Sequence, residues 1–128
     1  MSLRSPLGRV LGFGSAKGGS AHWYSQRVTG VALALLGSWF VLSLACLGGA
    51  SHENVSQWLG SPAGSTLMVL LVVVVAWHAA LGLQVIVEDY VSSSGLRTAV
   101  LVAVKFALVA AAVLGVLAVL RIAFGVAA

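Results

Sequence analysis

The chain has 128 residues, of which 60% are hydrophobic and 8% are charged, and its formal net charge is +4. Soluble domains carry about 25% charged residues, so this composition excludes an ordinary soluble enzyme and predicts one membrane-embedded domain. The positive charge does not indicate nucleic-acid binding, because the basic residues form no stripe interleaved with exposed aromatic residues. The single cysteine, Cys46, has no partner for an internal disulfide and no neighbour at a metal-binding spacing.

Residues 1–27 form a glycine-rich segment that carries four basic residues and no acidic residue. The segment lacks the continuous apolar stretch and the cleavage site of a signal peptide, and its glycines disfavour the amphipathic helix of a transit peptide. We therefore interpret it as a retained cytoplasmic tail that is irregular or lies on the membrane surface. It ends in His22, Trp23, Tyr24 and Arg27, and aromatic residues beside a cation are typical of a membrane interface.

Three apolar stretches follow the tail, and each is long enough to cross a bilayer, which takes about 20 helical residues. Predicted helices cover about residues 28–50, 67–90 and 98–121. They form a three-helix transmembrane domain over residues 28–121, which is followed by a short C-terminal tail over residues 122–128. The sequence thus predicts an all-α integral membrane protein.

The distribution of Lys and Arg predicts the orientation of these helices. The N-terminal tail carries four basic residues, the link over residues 51–65 carries none, and the second link carries Arg97 with Lys105 nearby. Because Lys and Arg collect on the cytoplasmic side, the N-terminus is predicted in the cytoplasm and the C-terminus outside. Arg121, at the far end of the third stretch, is the one charge that disagrees.

His78 is the one ionisable residue near the middle of a predicted span. It lies about 11 residues from either end of the second stretch, or roughly 16 Å from each interface. An imidazole at this depth either makes a hydrogen bond between helices or serves as an axial ligand to a haem iron. Gly82, one turn further along, would leave space for a flat macrocycle. His22 and His52 lie in polar segments, so a second axial histidine would have to come from a partner subunit.

Asp89 and Tyr90 follow His78 on the same predicted helix. Asp89 lies only about 20° from the face of His78, and Tyr90 lies roughly 18 Å along the axis, at the cytoplasmic end. Alone, Tyr90 could be an interfacial aromatic residue, and Asp89 with Glu88 could be a solvated helix end. Their order after His78 favours a functional site.

Two segments of the sequence carry ordered motifs. Residues 22–27 (HWYSQR) have the pattern His-Trp-x-x-(Glu/Gln)-Arg before the first span, and residues 78–90 (HAALGLQVIVEDY) have the pattern His-x3-Gly-x-Gln-Val-x3-Asp-Tyr. Both segments resemble the corresponding motifs of the small hydrophobic anchor subunit, the D subunit, of succinate:ubiquinone oxidoreductase, with the spacing from histidine to tyrosine retained. The resemblance covers about residues 15–97.

This resemblance implies roles for particular residues. The histidine that matches His78 ligates the iron of a b-type haem. The residue that matches Tyr90 hydrogen-bonds the quinone, ubiquinone or menaquinone, and the aspartate that matches Asp89 supports that site. By its position in the first motif, Arg27 would pair with a haem propionate or lie at the mouth of the quinone site.

The resemblance also implies a complex in the bacterial cytoplasmic (inner) membrane. The chain would form a heterodimeric anchor bundle with a second, cytochrome b-like hydrophobic subunit, and this bundle would hold an iron–sulfur subunit and a flavoprotein subunit. No residue of this chain would act on succinate, so no catalytic residue is predicted. Two alternatives remain: the anchor of a fumarate reductase, and a small proton-coupled transporter. A transporter needs a carboxylate within a span, whereas the three acidic residues, Glu53, Glu88 and Asp89, lie at helix ends or in a link.

Overall fold

The computed structural model describes residues 19–49 and 51–125, and within these ranges every regular element is helical. Four helices follow in chain order: α1 (Gly19–Cys46), α2 (His52–Gly60), α3 (Pro62–Tyr90) and α4 (Ser94–Ala123). The three long helices have mean hydropathies of 2.0, 2.3 and 2.7 over their most apolar windows, and each is long enough to cross a membrane. The predicted all-α fold with three candidate spans is confirmed.

The helices are longer than the spans predicted for them. The N-terminal tail was expected to be irregular or to lie on the membrane surface. Residues 19–27 are the first turns of α1, so the irregular alternative is wrong for this part of the tail. The glycines of the N-terminal segment, on which that expectation rested, come no later than residue 19 in the sequence. No proline lies between residue 19 and residue 62 to interrupt a helix. α1 ends at Cys46, and Gly48 and Gly49 follow with positive φ angles of 66° and 134°. Residues 1–18 and 126–128, predicted as parts of the two tails, lie outside the described residues.

The predicted polar link contains the short helix α2, which joins α3 through one serine. The Ser61 hydroxyl donates to the Trp58 carbonyl at 2.7 Å and accepts from the Gly64 backbone N–H at 3.0 Å. It therefore closes α2 and caps α3, while Pro62 at the first position of α3 needs no hydrogen-bond partner for its nitrogen. A Cβ atom on Gly64 would overlap the Trp58 carbonyl oxygen. The tight turn between the two helices thus requires a glycine at this position.

The chain packs with α3 in the middle. Gly30 lies against His78 and Gln26 against Gly82, so α1 and α3 are antiparallel. On the other side, the small residue Gly115 of α4 lets that helix approach Val72 of α3 closely. Among the described residues, no Cα atom of α1 comes within 8 Å of a Cα atom of α4. The three long helices therefore form a row rather than a triangle.

α2 lies at the end of the row where α1 finishes and α3 begins. Its Trp58 ring packs against two aromatic rings of α1, with centroid separations of 5.5 Å to Trp39 and 6.2 Å to Phe40. Its Leu59 is buried, whereas Gln57 is exposed. Aromatic residues cluster at membrane–water interfaces, and this cluster is typical of such a position.

Candidate functional site

A polar stripe on α1 faces the middle of α3. His22, Gln26 and Thr29 are spaced four and three residues apart, which puts them on one face of the helix. Gln26 and Thr29 both reach the imidazole of His78. The first motif of the sequence and the histidine of the second motif are thus neighbours in the fold.

Both ring nitrogens of His78 have partners on α1. Nδ1 lies 2.9 Å from the Thr29 hydroxyl oxygen, and Nε2 lies 3.4 Å from the side-chain amide nitrogen of Gln26. The second distance is long for a hydrogen bond, whose usual upper limit is about 3.2 Å, so the contact of Nε2 is the weaker of the two. The hydrogen bond between helices that the sequence left open as one role for His78 is present. It leaves axial ligation open too, because the weakly held Nε2 is the nitrogen on which an iron would bind.

Two glycines border the imidazole and its partner. A Cβ atom on Gly30 would lie 3.6 Å from His78 Cε1, and a Cβ atom on Gly82 would lie 3.6 Å from the Gln26 amide nitrogen. Both distances are ordinary van der Waals contacts. Gly82 therefore lies beside the Gln26 side chain, one turn from His78 on the same face of α3.

The donor set fits a haem, provided that Gln26 moves. An iron bound to His78 Nε2 would occupy the direction that the Gln26 amide now takes, so the amide must swing away first. Nearby, His22 Nε2 and Gln26 Oε1 are buried and have no hydrogen-bond partner within the described part of the chain, and such atoms suit polar groups brought by a ligand or another subunit. Residues 19–49 and 51–125 hold no cluster of three His, Cys, Asp or Glu side chains that could bind a metal ion, but a single histidine is enough for one axial ligand of a haem.

Arg27 points away from this polar stripe. Its guanidinium carbon lies 4.8 Å from the centre of the Trp23 ring, a cation–π contact on the exposed side of α1. Arg27 follows Gln26 by one residue and is therefore turned about 100° from it. In this conformation the structure does not bring Arg27 to His78.

Asp89 and Tyr90 end α3 with exposed side chains. Tyr90 is 85% exposed, and the neighbouring carboxylate of Glu88 accepts a hydrogen bond of 2.9 Å from the Gln84 amide. Because α1 and α3 are antiparallel, this end of α3 lies at the same side of the membrane as the start of α1. The twelve residues from His78 to Tyr90 span about 18 Å along the helix.

Comparison with known proteins relates this arrangement to one family. The family described as succinate dehydrogenase/fumarate reductase transmembrane subunit matches residues 1–114. The chain is 36% identical over 104 residues to a succinate dehydrogenase hydrophobic membrane anchor subunit of Rickettsia bellii, and the match covers 80% of this chain and 82% of that protein. It is 31% identical over 115 residues to the anchor subunit of Paracoccus denitrificans, covering 88% and 89%. This chain belongs to that family.

Membership in the succinate dehydrogenase/fumarate reductase family confirms the resemblance that two short motifs predicted. The sequence alone revealed neither partner of His78: Gln26 had no role beyond its place in the first motif, and Thr29 lies outside both motifs. The missing signal was spacing: Thr29 lies seven residues, or two turns, after His22 and continues the polar face of the first motif into the apolar stretch.

A second feature of this family member is an open groove of about 540 Å³ between α3 and α4. Its walls are apolar except for Gln84 and Lys105. On α3 the groove follows Trp77 and Leu81 rather than His78. It is therefore distinct from the polar contact between α1 and α3.

Proposed function

We propose that this chain is the membrane anchor subunit of a succinate dehydrogenase that binds a b-type haem through His78 and helps form the site of quinone reduction. Family membership supports the anchor role. The observation that carries the haem assignment is the placement of His78 among apolar residues, with its ring fixed from Nδ1 by a buried hydroxyl. A neutral imidazole held in this way is suited to bind iron through its other nitrogen.

The residues around His78 have separate tasks in this proposal. Thr29 holds the ring, Gln26 yields its place beside Nε2, and Gly82 keeps the next turn of α3 free of a side chain. Arg27 would have to leave Trp23 to pair with a haem propionate. When bound, the haem supplies a one-electron redox centre within the membrane. A histidine of the second hydrophobic anchor subunit would hold the iron together with His78.

Tyr90 and Asp89 serve the quinone, which is ubiquinone or menaquinone. A quinone carbonyl only accepts hydrogen bonds, so its site needs donors, and the Tyr90 hydroxyl is an exposed donor at the end of α3. The Asp89 carboxylate beside it is an acceptor that can orient the phenol or receive a proton. Both side chains are free to meet the iron–sulfur subunit and the second anchor subunit, which would complete the site.

The electrons would come from succinate through the flavoprotein and iron–sulfur subunits, so this chain does no chemistry on succinate. An anchor of a fumarate reductase is the alternative within the family, whose description covers both enzymes. Comparing succinate oxidation with fumarate reduction on one purified complex separates the two. A proton-coupled transporter is disfavoured, because Glu53 lies on α2 and Glu88 and Asp89 lie in the last turn of α3.

The haem assignment is tested by His78→Ala in the whole complex, with His52→Ala as the matched control. His52 is an exposed histidine at the start of α2, which lies beside the first residues of α3, away from His78. We expect His78→Ala to remove or alter the low-spin b-type band in the reduced-minus-oxidised spectrum, whereas His52→Ala keeps the wild-type spectrum. An unchanged spectrum and midpoint potential in His78→Ala would show that the ligand comes from elsewhere.

A further inference from the structure

The hydroxyl of Thr29 lies between a backbone carbonyl of α1 and the imidazole of α3. Its oxygen is 2.8 Å from the Ser25 carbonyl oxygen and 3.2 Å from the Gln26 carbonyl oxygen, both on its own helix. It is also 2.9 Å from His78 Nδ1. Thr29 is only 4% exposed. A hydroxyl carries one proton, so it can donate to the helix carbonyls or to the imidazole, but not to both.

The short oxygen–oxygen distance decides between these two arrangements. If Thr29 donated its proton to His78, two acceptor oxygens would face each other at 2.8 Å with no proton between them, and lone pairs in such contact repel. Thr29 therefore donates to the carbonyls of its own helix, as threonine hydroxyls commonly do within helices. The proton in the contact with His78 must then belong to Nδ1, and the Thr29 oxygen accepts it.

The environment of the other ring nitrogen agrees with this assignment. A neutral imidazole that carries its proton on Nδ1 has a lone pair on Nε2. The Gln26 amide nitrogen, 3.4 Å from Nε2, is a donor and can point a hydrogen at this lone pair. The opposite tautomer would place two N–H donors against each other unless the amide were reversed.

We propose that Thr29 is a positioning residue that fixes the tautomer of His78, so that Nε2 alone is open to iron, while Gln26 covers Nε2 until the iron takes its place. This inference rests on the proposed role of His78 as a haem ligand. The hydrogen bond that Nδ1–H donates to the Thr29 oxygen makes the imidazole a stronger ligand for iron. A stronger ligand stabilises the oxidised iron more than the reduced iron, so Thr29 would lower the midpoint potential.

The test compares Thr29→Val and Thr29→Ser in the whole complex. Valine keeps the shape of threonine and removes the hydroxyl, whereas serine keeps the hydroxyl and removes the methyl group. Loss of such an outer partner typically costs about 10- to 100-fold in metal affinity. Because the oxidised iron depends more on a basic ligand, we expect Thr29→Val to lower the preference for oxidised over reduced iron by up to about 10-fold. That factor is a rise of about 59 mV for one electron. Thr29→Ser should keep the wild-type potential.

Any other result contradicts either the role of the Thr29 hydroxyl or the haem ligation by His78. Wild-type potential and full haem content in Thr29→Val show that the hydroxyl does not tune His78. Loss of haem in Thr29→Ser but not in Thr29→Val shows that the methyl group, through packing, is what matters. Should Thr29→Val not assemble, Thr29→Ala is measured against the same expectation, and a wild-type potential there overturns the proposal. If His78→Ala keeps the full spectrum, the proposed haem ligation itself is wrong, whatever the Thr29 variants show.

Discussion

His78 and Tyr90 lie on one helix but in opposite surroundings. The imidazole of His78 is held on both sides by side chains of α1, whereas the phenol of Tyr90 is 85% exposed at the end of α3. A residue that is already positioned can bind a ligand with little loss of side-chain entropy. Tyr90 instead takes its position from whatever packs on the end of α3. In the proposed function, this chain thus positions its own haem ligand, His78, whereas the position of Tyr90 depends on the partner subunits.

The role of Tyr90 can be tested by Tyr90→Phe, which removes only the hydroxyl. A hydrogen bond to a charged group contributes about 1.5 to 3 kcal/mol, and the quinone oxygen gains negative charge during reduction. We therefore expect quinone reduction to fall roughly 10- to 150-fold, at about 1.4 kcal/mol per decade. Succinate oxidation measured with an artificial acceptor that bypasses the membrane should stay near wild type.

Tyr24→Phe is the matched control for Tyr90→Phe. Tyr24 is also exposed and lies in the first turns of α1, at the same side of the membrane. We expect it to leave quinone reduction unchanged. Equal activity of both variants and the wild type, with full haem content, would return Tyr90 to the role of an interfacial aromatic residue.

At the residue scale, the sequence could predict which residue is unusual for its depth in the membrane. His78 stands out because an imidazole in the middle of an apolar stretch needs a partner. The identity of that partner could not be predicted, because it lies 49 residues away on another helix. Thr29 and Gln26 each have an ordinary role in isolation, as a self-bonded hydroxyl and as an interfacial amide. Only the register between α1 and α3 brings both to one ring.

At the scale of the elements, the number of spans was predictable but the helix boundaries were not. Hydrophobicity marks the part of a helix that crosses lipid, about 30 Å, whereas α1 has 28 residues and is about 42 Å long. Its extra turns carry polar and aromatic side chains that signal an interface rather than a helix. The helix α2 was not predicted for the same reason: its polar composition does not mark a membrane span and indicated only a link.

The junction of α2 and α3 is tested by Gly64→Ala. A Cβ atom at this position would overlap the Trp58 carbonyl oxygen, so one of the two helices must shift. We expect a loss of about 1 to 3 kcal/mol, the usual cost of overpacking, which exceeds the gain of at most about 1 kcal/mol from replacing a helical glycine. The measurement is the Tm of the purified complex.

Gly60→Ala is the control for that experiment. Gly60 ends α2, four residues earlier, and a Cβ atom there would meet nothing within 4 Å. Its Tm should equal the wild-type value or exceed it. If Gly64→Ala were as stable as Gly60→Ala, the turn would be looser than the structure shows.

At the scale of the whole molecule, the orientation in the membrane remains a prediction from the basic residues. It is tested by single cysteines, Gln57→Cys on α2 and Ser93→Cys before α4, in a Cys46→Ser background. Gln57 and Ser93 are both exposed and lie at opposite ends of α3. An impermeant thiol reagent added to whole cells with a permeable outer membrane should label Gln57→Cys and spare Ser93→Cys. The reverse pattern would place the N-terminus outside.

The row of helices has a consequence for how substitutions combine. Among the described residues, no Cα atom of α1 lies within 8 Å of one of α4, and both helices pack on α3. Changes at distant sites without shared partners usually add within about 0.3 to 0.5 kcal/mol. A change on the polar face of α1 and a change on α4 should therefore be energetically independent, unless α3 or α2 shifts to connect them. The sequences of α1 and α4 can thus change independently of each other. A change in α3 must instead be compatible with packing against both helices.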